Sequence, residues 1–73
     1  MSYTFEQMMT GEGLPEQNLR RAISGKYGEV TESEREKAID GVKNRFAEKY
    51  GEAADGVWAA ERDGDFVCMA IRS

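Results

Sequence analysis

The chain contains no histidine and a single cysteine, Cys68, among its 73 residues. Without histidine, the side chain that most readily moves protons near neutral pH is missing. One thiol excludes an internal disulfide, and no cysteine cluster is available for zinc or iron. No glycine-rich phosphate loop precedes a helical pattern. No apolar run approaches the ~20 residues of a membrane span. The opening MSYTFEQMMTGEG has neither the basic region nor the apolar stretch of a secretory signal. A lone thiol without an export signal leads to the expectation of a reducing, cytoplasmic setting.

Net positive charge is also lacking. The formal charge is −4, and most of the excess falls late. Residues 52–73 carry Glu52, Asp55, Glu61, Asp63 and Asp65 against Arg62 and Arg72. A domain that grips phosphates needs the opposite sign on a substantial surface, so this balance argues against nucleic acid as the main partner.

Two features invite a catalytic or metal reading, and both fail on physical grounds. Asp63 and Asp65 flank Gly64, but the loop is too short for the repeated oxygen ligands of calcium. Cys68 lies in an apolar run, where no positive group stands by to stabilise a thiolate. The expectation is a non-enzyme with no catalytic residues, no metal and no cofactor.

What the sequence does contain is four segments parted by glycines, consistent with one domain over residues 1–73. A chain of this length buries only about 60% of its unfolded surface, so association is a common supplement to its core. In the first segment Thr4 and Gln7 have capping-box spacing, with Phe5, Met8 and Met9 on one side and Gly11 and Gly13 as stops. The second, LPEQNLRRAISGKYG, reads as another short helix. Pro15 suits the first turn, Leu19, Ala22 and Ile23 line one side with Tyr27 extending it, and Gly25 or Gly28 ends it. In the third, Thr31 and Glu34 form a second capping box. Ile39, Val42, Phe46 and Tyr50 then recur at helical spacing, widened by Ala38 and Ala47. Gly51 closes this segment, while Gly41 in its middle suggests a close approach of another backbone.

The fourth segment, GVWAAERDGDFVCMAIRS, is a hairpin about Asp63-Gly64. A two-residue turn pairs Arg62 with Asp65, Glu61 with Phe66, and so on to Val57 with Ala70. One face collects Trp58, Ala60, Val67, Met69 and Ile71, and is expected to meet the long helix. The other collects Val57, Ala59, Phe66, Cys68 and Ala70, which leaves an apolar face for a partner, a second copy or the first helix.

The predicted fold is therefore α+β: two short helices, one long amphipathic helix, and a C-terminal antiparallel β-hairpin packed on it. The predicted function is a small acidic module that binds another protein. Glu52, Asp55, Glu61, Asp63 and Asp65 would form a negative patch for a basic surface. One form is an inhibitor seated in the nucleic-acid site of a larger protein, as small acidic phage proteins do to host defence enzymes. The alternatives are a winged-helix-like nucleic-acid binder, since three helices and a hairpin share that element order, and a homodimeric accessory subunit. No membrane association is expected.

Overall fold

The computed structural model describes residues 3–14, 20–26 and 28–72. It is a small α+β fold of two helices and a three-stranded antiparallel sheet. Helix α1 spans Phe5–Thr10, strand β1 Arg20–Lys26, helix α2 Glu32–Tyr50, strand β2 Gly56–Arg62 and strand β3 Asp65–Arg72. The strand order is β1-β3-β2, which places β3 in the middle.

Both helices start on the capping boxes visible in the sequence. The Thr4 hydroxyl accepts from the Gln7 amide and the Gln7 side chain accepts from the Thr4 amide; Thr31 and Glu34 repeat the exchange at α2. Gly11 and Gly51 end the helices in the left-handed conformation, at φ 80° and 70°, where a side chain is disfavoured. The hairpin register also follows the turn chemistry. Asp63 and Gly64 both take positive φ, and every pair from Arg62–Asp65 to Val57–Ala70 forms as the two-residue turn dictates.

The second segment is not a helix over its described residues. Residues 20–26 form β1, paired along its length with β3 from Arg20–Arg72 to Lys26–Phe66. The helical spacing of Ala22 and Ile23 with Leu19 misled because the stretch is short, and Ser24 and Gly25 hold a helix poorly. The open side of β3 supplies a full ladder of main-chain partners, and tertiary pairing overrides so weak a preference. The expected start at Pro15, the inward Leu19 and the extension to Tyr27 lie outside the described residues.

The hairpin faces are covered in the reverse of the expected sense. Phe66, Cys68 and Ala70 pack beneath α2 with Ala22, Ala38, Val42 and Phe46. Val67, Met69 and Ile71 pack beneath α1 with Phe5 and Met8, flanked by Trp58 and Ala60. Size complementarity accounts for the exchange. Helix α2 brings its own bulk in Phe46 and Val42 and so sits over Cys68 and Ala70. The short α1 has only Phe5 and Met8 to offer and needs the larger sheet residues to fill its layer. The apolar face proposed as a partner or dimer interface is thus largely core: only Ala59 is exposed and Val57 half-buried.

Along α2, Ala38, Val42 and Phe46 are buried and Ile39 and Tyr50 pack at the margin, whereas Ala47 is exposed. Gly41 admits no neighbouring backbone: a methyl group added there meets nothing within 4 Å. With normal helical geometry and free space, Gly41→Ala should raise the unfolding free energy by about 0.5–1 kcal/mol. Urea denaturation of the two proteins measures this, and an unchanged or lower midpoint would refute it.

Candidate functional site

The geometry of charge starts from the direction of α2. The helix runs back along β3, so its N-terminus meets the β2–β3 turn. Arg35 pairs with Glu61 at 2.6 Å. A shallow groove of about 330 Å³ lies between the two elements, lined by Glu29, Val30, Thr31, Arg35, Glu61 and Gly64. The C-terminal end of β1 arrives at the same place, where Lys26 pairs with Glu34 at 2.9 Å. The loop after β1 is tied down by the Gly28 amide, which donates to Asp65 Oδ1 at 3.1 Å. On the opposite face α1 begins nearby: Glu6 pairs with Arg62, whose guanidinium lies over the Phe5 ring. A second groove of about 390 Å³ runs along Thr4–Glu6 and Ala60–Arg62.

This end of the molecule gathers carboxylates from four elements. Glu6, Glu34 and Glu61 have cationic partners. Among the described residues, Glu29, Glu32, Asp63 and Asp65 form no ion pair. The sequence pointed to Glu61, Asp63 and Asp65 but missed Glu29 and Glu32. Their place becomes visible only once β1 is known to run to this end and α2 to start from it. The first-turn acid Glu32 was a usable signal, because a helix that returns along a hairpin must begin near the turn or near the hairpin's open ends.

The other two predicted patch residues are elsewhere. Glu52 and Asp55 lie before β2, at the far end of a strand about 20 Å long. There Glu52 pairs with Arg20 and, at 3.7 Å, with Arg72; Asp55 approaches Arg72 at 4.0 Å. Arg72 also donates to the Ala53 carbonyl at 3.2 Å. These two acids hold the entry to β2 against the ends of β1 and β3. The five-residue patch is therefore two sites: a turn-end cluster with open charge and a neutralised junction.

Cys68 is fully buried, and burial pushes its thiol up from the ordinary range, with nearby Arg45 opposing the shift. The protonated thiol is inert as a nucleophile. No group of three or more carboxylates and cysteines among the described residues is placed to hold a metal ion. No described helix is long and apolar enough to cross a membrane. No family model, curated protein or solved structure matches the chain.

Glu34 carries the clearest electrostatic signature. The hydrogen bond from Lys26, then those from the Thr31 amide and hydroxyl, lower its pKa from 4.5 to about 2. Its folded pKa lies below the unfolded one, so its contribution is complete above pH 4.5 and fades as pH falls toward 2. The pair is solvent-exposed, which keeps the effect modest. Glu34→Gln keeps a capping side chain but loses the charge. It should be less stable than the parent at pH 7 and approach it between pH 4.5 and 2. Thermal midpoints across that range test this, and parallel curves would rule out the linkage.

Proposed function

We propose that this chain is a non-catalytic protein-binding module that docks on a basic protein surface through its acidic turn end. The observation that carries the reading is the set of carboxylates Glu29, Glu32, Asp63 and Asp65, gathered from a loop, a helix start, the β2–β3 turn and the first residue of β3 without cationic partners among the described residues. Open charge of one sign steers a partner of the other sign and speeds encounter. The turn is held by the Gly28–Asp65 hydrogen bond and the Arg35–Glu61 pair, so little ordering is required on binding. One form of this function is inhibition, with the acidic end filling a nucleic-acid groove on a larger protein.

The winged-helix alternative loses its motivation, because the second of its three helices is replaced over residues 20–26 by β1. The turn that would serve as its wing bears the open carboxylates, which repel a phosphate backbone.

The double variant Glu29→Lys/Asp63→Asn tests the proposal with little risk to the fold. Glu29 is in an exposed loop, and Asn tolerates the positive φ of position 63. Immobilised parent should retain basic proteins from a cell extract at low salt, release them as salt rises, and fail to retard duplex DNA. The variant should retain markedly less. Equal retention by both, or retardation of DNA by the parent, would overturn the proposal.

A further inference from the structure

The sheet has two outer edges, and they differ in character. A two-residue turn makes Arg62 and Asp65 a hydrogen-bonded pair, so main-chain groups alternate inward and outward along each neighbouring strand. On β1 the outward groups belong to Arg21, Ile23 and Gly25. Two of these carbonyls are already taken by α2: Arg45 Nη1 donates to Ile23 O at 2.7 Å and Tyr50 Oη to Arg21 O at 3.3 Å. Charged Arg20, Arg21 and Lys26 guard the same strand, a common protection against strand addition.

On β2 the outward groups belong to Val57, Ala59 and Glu61. Among the described residues none of these N–H or C=O groups has a partner, and the stretch Val57–Ala60 contains no charge, proline or bulge. Helix α2 packs across β1 and β3 and α1 across β3 and β2, so the outer flank of β2 on the α2 side is uncovered and Ala59 is exposed there. An edge of this kind takes a β-strand and little else.

We propose that the strand it takes is β2 of a second copy, joined antiparallel about a two-fold axis at Ala59 into one continuous sheet. The strand is self-complementary in that register. Outward residues must face outward residues, which sets Ala59 against Ala59 of the second copy and Val57 against Glu61. Ala59 is also the midpoint of Gly56–Arg62, so the whole strand overlaps. On the α1 side the bulky Trp58 then falls beside Ala60 of the second copy, and Gly56 beside Arg62. No like charges oppose each other within the strand. A contact in which one patch meets itself about a two-fold axis is the commonest closed form for a homo-oligomer. The carboxylates Glu29, Glu32, Asp63 and Asp65 lie outside Gly56–Arg62, so the pairing does not rest on the docking role of the acidic end.

Light scattering over a wide concentration range tests it. The parent should rise from the chain mass toward twice that mass, with amide exchange at Ala59 slowing in step. Ala59→Lys sets like charges against each other at the axis, and Ala59→Pro removes the outward N–H; both should stay monomeric. Ala59 is exposed, so Ala59→Lys should keep the parent's circular dichroism and settles the matter even if the proline variant folds poorly. Gly25→Lys, on the guarded edge, should dimerise as the parent does. A parent that is monomeric at every concentration overturns the proposal and leaves the edge to a strand of another protein. A dimer that survives Ala59→Lys with native circular dichroism places the interface elsewhere and overturns it equally.

Discussion

Burial of β3 on both faces is the constraint on which the rest of this fold depends. Phe66 through Ile71 alternate between two apolar layers and are all buried. A strand with that composition cannot sit at an edge or on a wet surface, since each fully buried large side chain is worth roughly 1.5–3 kcal/mol relative to exposure. It must be central, flanked by strands on both sides and capped by a helix on each face. Among the described residues two helices and two further strands meet those demands. Tyr50 is an example of the resulting economy: its ring lies tilted against buried Phe46 with centroids 4.7 Å apart, and its hydroxyl donates to the outer edge of β1.

Much of this was legible where a local rule acts alone. Thr4 with Gln7, Thr31 with Glu34, Gly51 and the Asp63-Gly64 turn each fix a few residues by hydrogen bonding or positive φ, and all behave as those rules require. The register of β2 on β3 follows from the turn without further information. What could not be read locally was decided by partners distant in sequence. Residues 20–26 become a strand because β3 has a free side, and nothing within RRAISGK announces that. The exchange of the two hairpin faces depends on how much bulk each helix carries to the sheet, a property of the pair of layers and of neither segment by itself. Ala47 was assigned to the inward stripe of α2 on spacing alone and is exposed, because the row of Ala38, Val42 and Phe46 already fills the space over β1 and β3.

The same distinction applies to the site. Carboxylates crowded in the last third of the sequence look like one patch, but strand geometry carries Glu52 and Asp55 to one end of the sheet and Asp63 and Asp65 to the other. The first pair is absorbed by Arg20 and Arg72. The second shares its end of the molecule with the loop of Glu29 and the start of α2 at Glu32, which are distant in sequence. Charge and main-chain hydrogen bonding are thus left open in different places. The turn end presents unpaired acid, and β2 presents an unguarded edge. A small domain with little core to spare keeps both features at its periphery, away from the layers that hold it together.

Helix α2 closes the face of β3 that carries Phe66, Cys68 and Ala70, and Cys68 in the middle of that face is its natural reporter. The direct measurement is the rate at which a thiol reagent modifies Cys68 in the native protein, followed as a function of urea. A thiol that is fully buried and kept protonated should react only through unfolding, with a rate that rises with urea in parallel with the unfolding equilibrium. Modification in the absence of urea as fast as that of the unfolded chain would mean that the face is open, and would contradict the account.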